Sequence, residues 1–174
     1  MSARWTLRAA TAAEHERLDA AFARFDLADA AHYRAFLQAH RRALPALEAA
    51  VAVSGAAWAG WSPRAEPLEA DLRALGAEPE TAEAPVPPLT PAQAWGVQYV
   101  LEGSRLGGRL LAQRLAPDAP RNYLANAQPA GAWVRFQESL DQAIGDAPAT
   151  LAEAEAGARL AFARFQAAAG TDEA

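Results

Sequence analysis

The chain has 174 residues and a mass of 18.4 kDa, the size of one ordinary domain, and 52% of it is hydrophobic, with alanine dominant and valine and isoleucine scarce. That balance favours closely packed helices and argues against a sheet protein, because alanine is the best helix former and β-branched residues supply strands. A net charge of −5, with 16 basic residues that are all arginine, argues against a general nucleic-acid binder, and the absence of cysteine excludes disulfides, thiolate metal sites and a cysteine nucleophile.

In chain order, Leu7, Thr11, Leu18, Phe22 and Phe25 recur at three- and four-residue spacing, which predicts a helix from about Arg4 to Phe25. A second helix opens near Asp29 and carries Tyr33, Phe36, Leu37, Leu44 and Leu47, with Pro45 expected to kink or divide it. Ser62-Pro63 reads as an N-cap followed by proline, opening a short helix through Leu68, Leu72 and Leu75 that Gly76 stops. Residues 77–89, rich in proline and acid, read as an exposed loop inside a single domain of residues 1–174. Thr90-Pro91 repeats the cap-plus-proline signal and opens a long helix through Trp95, Tyr99, Leu106, Leu110 and Leu115, ended by Pro117 to Pro120. A short helix is expected around Asn122 to Leu124, another through Trp133, Phe136 and Leu140 to Gly145, and a last one from Pro148 to Gly170, with 170–174 as a frayed tail. No apolar run is long enough to span a membrane and no secretory leader is evident, so a soluble, cytoplasmic protein is expected.

Two places ask for an explanation. His15 falls between Thr11 and Leu18 on the apolar face of the first helix and is expected to point inward. It is either a core histidine bonded to a carbonyl or a neutral imidazole ligand to a metal or haem iron. Arg8, two turns earlier on the same side, is placed to anchor an anionic group of whatever His15 holds. His32 and His40 are weaker candidates, about 80° apart around their helix. The second place is Gly103, Gly107 and Gly108 within one long helix. Three glycines there cost roughly 3 kcal/mol relative to alanine. Close helix–helix contact, an early helix end, or a backbone that passes close over a flat ligand would each account for them.

Together these segments resemble the biliverdin-producing haem oxygenases of bacteria. The resemblance rests on Leu7-Arg8-Ala9-Ala10-Thr11 leading to His15 and Leu18, on Tyr99-Val100-Leu101-Glu102-Gly103-Ser104, and on Leu106-Gly107-Gly108, in that order. It implies an all-α fold and oxidative cleavage of haem to biliverdin, CO and ferrous iron, using O2. Haem is then both substrate and oxygen-activating cofactor. It further implies that His15 is the proximal iron ligand and that Gly103, Ser104, Gly107 and Gly108 belong to the distal helix, whose backbone lies close over the opposite haem face. Arg8 and Tyr99 match positions that hold the propionates, and Arg135 is a further candidate anchor. Phe162 and Phe165 are candidate pocket walls. Ser104 stands where animal members carry an aspartate that organises water, so proton delivery must be arranged differently here.

The chain carries no flavin or Fe–S motif, so a ferredoxin- or flavodoxin-type donor is expected to supply electrons. Arg105, Arg109 and Arg114, with Arg121 following, are the candidate docking cluster for that acidic partner. The alternative reading is a haem carrier or sensor on the same fold that does not degrade its ligand.

Overall fold

The computed structural model describes residues 2–126 and 128–170. All regular structure among them is helical: α1 (Ala3–Ala10), α2 (Ala12–Phe22), α3 (Ala30–Val53), α4 (Ala65–Ala74), α5 (Pro91–Leu111), α6 (Ala132–Ile144) and α7 (Pro148–Gly170), with one 3₁₀ turn at Ala112–Arg114. The all-α expectation holds. No helix of the described residues is long and apolar enough to cross a membrane.

Two helix starts show why local sequence sufficed for some elements and failed for others. At Thr90 a reciprocal capping box forms, the Gln93 backbone N–H donating to Thr90 Oγ1 at 3.2 Å and the Thr90 backbone N–H to Gln93 Oε1 at 3.0 Å. Ser62 does not cap α4. The helix begins at Ala65, and its first N–H groups are taken instead by Glu48 of α3, from Arg64 N at 2.6 Å and from Ala65 N at 3.1 Å. A carboxylate reaching across from another helix does the work of a local cap and also favours the positive end of the helix dipole.

Other boundaries also differ from the sequence reading. The first predicted helix is divided at Thr11, whose backbone leaves the helical region (φ −113°, ψ 10°) while its hydroxyl donates to the Leu7 carbonyl at 2.7 Å. It also ends at Phe22 rather than Phe25. Pro45 does not divide α3: the helix runs unbroken from Ala30 to Val53, so one missing donor is outweighed by packing on α4, α5 and α7. α5 ends at Leu111, short of Leu115, and residues 122–125 form turns rather than a helix. Residues 77–89 contain no helix but are tied down, Gln38 donating to the Glu78 carbonyl at 2.8 Å and Arg164 pairing with Glu83 at 2.9 Å. Of the expected frayed tail, residues 171–174 lie outside the described residues, and α7 continues to Gly170.

α7 is the spine. α5 lies along it, and α1, α2, α3 and α6 pack on it as well. The approach of α5 to α7 is set by two glycines. A Cβ at Gly96 would collide with the Ala154 carbonyl oxygen, and one at Gly157 with the Gln93 carbonyl oxygen. The core that results runs through Leu37, Leu44, Leu47, Leu72, Leu101, Phe136, Leu140, Ala158 and Phe162. Gly96→Ala and Gly157→Ala are each expected to destabilise the fold by about 1–3 kcal/mol, the usual penalty of overpacking, despite alanine's better helix propensity. Urea unfolding followed by circular dichroism measures this, and unchanged midpoints would show that α5 and α7 can separate without loss.

Candidate functional site

α2 has no buried residue, although it is flanked by helices that do. Leu18 and Phe22 are only half-buried against the core, and His15 is 65% exposed at its side chain, so the sequence expectation that it points into the core is not met. Its surroundings are nevertheless specific. Nδ1 lies 3.1 Å from Asp19 Oδ2, one turn further along α2, and the ring meets Phe162 of α7 edge-on at 6.1 Å. With Nδ1–H donating to the carboxylate, the lone pair of the neutral ring sits on Nε2, the tautomer that a metal-binding imidazole needs. Among the described residues no group of three or more His, Cys, Asp or Glu could hold a metal ion, so an iron here would have to bring its other ligands with it. Three contacts from α7 fix the entrance of α2: Arg159 donates to the Ala10 carbonyl at 3.0 Å and pairs with Glu14 at 3.5 Å, and Gln166 donates to the Glu14 carbonyl at 3.1 Å.

The α5 glycines fall into two kinds. Gly96 and Gly108 are explained by packing, since a Cβ at Gly108 would stand 3.3 Å from the Leu124 carbonyl oxygen. Gly103 and Gly107 are not. A Cβ at Gly103 would only touch the Trp133 ring at 3.7 Å, and one at Gly107 would meet nothing within 4 Å. The helix also continues through both, so neither helix–helix contact nor an early end explains them. Leu106 and Leu110 beside them are exposed.

Tyr99 feels the charge of Arg8, although no contact joins the two side chains. Burial raises the Tyr99 phenol, and the Arg8 charge partly opposes it, so the hydroxyl stays protonated and able to donate. Arg8 itself is exposed and stacks over Trp5 at 5.5 Å. A guanidinium and a phenolic donor are each suited to a carboxylate. Arg135 turns back on the entrance of its own helix, donating to the Ala130 carbonyl at 3.0 Å.

Ser104 faces a buried polar network. Its hydroxyl donates to the Leu101 carbonyl at 2.8 Å and accepts from Arg64 Nη2 at 2.7 Å, so its one proton is committed. Arg64, buried itself, also donates to the Leu101 carbonyl at 3.0 Å and lies over the Tyr123 ring. The sequence reading missed Arg64 because an arginine at a helix start normally stands in water. It also missed Asp19, although an acid one turn after a histidine was visible. Arg105 corrects the docking cluster. It is 3% exposed and donates inward to Asn126 Oδ1 at 2.7 Å and the Ser62 carbonyl at 2.6 Å, with Glu102 at 3.5 Å, so it cannot meet a partner. Arg109 and Arg114 are exposed, and Arg121 bonds carbonyls of its own loop. His32 is exposed beside the Asp29 cap. His40 is held among Phe22, Phe36, Tyr123 and Phe165, its Nδ1 on the Phe36 carbonyl at 2.9 Å, and burial pushes it down to about 4, so it is neutral.

The sequence is 40% identical over 149 residues to a haem oxygenase of Xanthomonas campestris pv. campestris (strain 8004), covering 79% of this chain and 88% of that protein. In three dimensions the chain is similar to the haem oxygenase of Neisseria meningitidis, known from crystal structures with NO and CO bound. The TM-score is 0.79 at 25% identity, over 97% of this chain and 90% of the other. No family model matches the chain.

The open space at Gly107 has a measurable consequence. Gly107→Ala is expected to stabilise the ligand-free protein by up to about 1 kcal/mol, since it gains helix propensity and meets no neighbour. A fall in the urea midpoint would show that Gly107 answers a packing demand after all.

Proposed function

The chain belongs to the haem oxygenase family, and from that premise we propose that it cleaves haem to biliverdin, CO and ferrous iron with O2 and electrons from a separate donor, working as one domain. The observation that carries this reading is His15, with Nδ1 held by Asp19 and Nε2 left as a ligand on a helix face without a buried residue. Bound haem supplies the iron that activates O2 and is itself the ring that is opened.

The chain's own residues then divide the work. His15 would hold the iron through Nε2, with Asp19 fixing the ring's tautomer and orientation. Arg8 and Tyr99 take the propionates, the first by charge and the second by its retained proton. Gly103 and Gly107 keep the distal side free of side chains, so that a reacting meso carbon is not shielded. The proton of Ser104 is spent on the Leu101 carbonyl and its oxygen takes Arg64, so the serine is not the proton donor. Protons must therefore come through water rather than from the serine. Gly108 contributes by packing on Leu124, and Arg135 is a peripheral anchor at most. Arg109 and Arg114 remain as the docking cations for an acidic ferredoxin- or flavodoxin-type donor.

A haemin titration followed by ascorbate in air tests the activity. One-to-one binding with a Soret band, then its loss as biliverdin appears, is the expected course, and a stable ferrous–oxy or unchanged ferric spectrum with a competent donor would indicate a carrier. His15→Ala should lose turnover and regain part of it with added imidazole, while Asp19→Ala should weaken affinity or turnover on the order of tenfold. Full activity in His15→Ala without imidazole would remove it as the ligand. Charge reversal at Arg109 and Arg114 should slow donor-driven turnover and flatten its salt dependence, leaving ascorbate-driven turnover unchanged. No change in donor-driven rates would place the donor elsewhere.

A further inference from the structure

One stripe of α7 faces the start of α2. Arg159, Phe162 and Gln166 recur at spacings of three and four, which puts them on one side of their helix. Arg159 donates at 3.0 Å to the Ala10 carbonyl, part of the peptide that enters Thr11. Phe162 meets the His15 ring edge-on at 6.1 Å. Gln166 Nε2 donates at 3.1 Å to the Glu14 carbonyl, and that carbonyl belongs to the peptide that enters His15 itself. Between the two grips the turn is closed by the His15 N–H on the Thr11 carbonyl at 3.0 Å.

The Gln166 bond is not needed to satisfy the backbone. The Glu14 carbonyl lies inside α2, where helical bonding already uses it, so Gln166 brings a second donor to an acceptor with a lone pair to spare. A long side chain loses rotamer freedom when it is held in this way. Its neighbours towards the end of α7 are small: Ala167, Ala168, Ala169 and Gly170. What the bond achieves is registration. α2 has no buried residue and its backbone breaks from α1 at Thr11, so its own packing leaves the first turn with little to fix its rotation. The apolar contacts that α2 does make, through Leu18 and Phe22, lie beyond His15. Asp19 fixes the ring at Nδ1 from within α2, but a tautomer held on a helix that can turn is not yet a ligand held in place. A side chain that binds must be kept within about 0.5 Å and 10–20° of its working geometry by neighbours that do not bind.

We infer that Gln166, supported by Arg159, is a positioning residue for His15: by gripping the peptide that leads into the histidine, it sets the angle and reach of Nε2 and so the strength of the axial bond when haem is present. This rests on the haem reading of the site. Gln166 acts through the backbone of α2, since its bond is to the Glu14 carbonyl and not to the imidazole. Removing its donor leaves His15, Asp19 and Phe162 in place but frees the first turn of α2 to move against α7.

The test compares Gln166→Met, which keeps the length of the side chain and loses the donor, with Gln166→Lys, which keeps a donor at similar reach. Arg164→Met is the control, because Arg164 lies on the same helix but bonds Glu83 and the Ala84 carbonyl instead of α2. Circular dichroism establishes that each variant is folded. In the haem-free proteins, hydrogen exchange at the amides of His15 to Leu18 is expected to quicken in Gln166→Met and to slow again in Gln166→Lys, with the α5 amides unchanged. In the haemin-loaded, reduced proteins, the iron–imidazole stretching band in resonance Raman should broaden or fall in frequency in Gln166→Met and recover in Gln166→Lys. Haemin affinity should fall by less than the roughly tenfold expected when a direct partner of the ligand is removed. A band in Gln166→Met identical to that of the wild type, or one shifted equally in Arg164→Met, would overturn the inference and leave the haem reading intact. A protein that binds no haemin, or whose iron–imidazole band survives His15→Ala, fails at the earlier step and takes both readings with it.

Discussion

The crossing of α5 and α7 is the constraint from which the rest of the architecture descends. Two helices can approach until backbone meets backbone only where neither carries a Cβ, and Gly96 and Gly157 provide that on opposite partners. Ala154, Ala158 and Ala161 extend the small-residue surface of α7 along the contact. Once α7 is seated, its other faces place everything that matters to the site. Arg159 and Gln166 hold the entrance of α2, Phe162 lies edge-on to His15, and Phe165 closes around His40. The position of His15 is thus a consequence of a glycine contact made by two other helices.

A second constraint acts behind α5. Glu48, Arg64, Glu102 and Arg105 are all buried, and isolated charges there would be prohibitive. Burial pushes both glutamates up and Arg105 down, and the opposite charges push back. The network ties three helices: Glu48 of α3 caps α4, Arg64 at the start of α4 holds Ser104 and the Leu101 carbonyl of α5, and Gln128 reaches Glu102. Among the described residues, Glu102 Oε1 nevertheless has no hydrogen-bond partner. Removing any one member would leave another charge buried and unpaired, so the group acts as a unit. Its geometric product is an α5 fixed from one side, with Gly103 and Gly107 free of packing demands.

What the sequence revealed follows the range over which its signals act. Capping at Thr90, the stop at Gly76 and the apolar spacing of Phe136 and Leu140 are local, and the structure has them where the residues put them. His15 and the Gly103 and Gly107 pair stood out because each is odd for its place, a histidine in an apolar stripe and glycines where this chain otherwise uses alanine, whereas Arg8 was picked by its spacing from His15 and Tyr99 only through the family resemblance. The failures came where a distant group replaced a local one. Ser62 looked like a cap and Glu48 took its place. Arg105 looked like a surface charge and found Asn126 and Ser62 instead. Gly96 gave no sign of its role, since its reason lies on α7, sixty residues away.

His15 itself was misplaced for an instructive reason. Periodicity assigns an apolar face to the core, and α2 has such a face, yet the fold buries none of its residues. The helix is held by polar contacts from α7 and by a thin apolar seam in which Leu18 and Phe22 are only half-buried against the core. An element with few buried contacts contributes little to its own local stability. A ligand that binds His15 and covers the apolar stripe supplies what the chain withholds, and by linkage it stabilises the folded state in proportion to its affinity. The apolar pattern of α2 thus looked like core in the sequence and is only half covered in the structure, which leaves a surface that a planar apolar ligand would complete under the proposed reading.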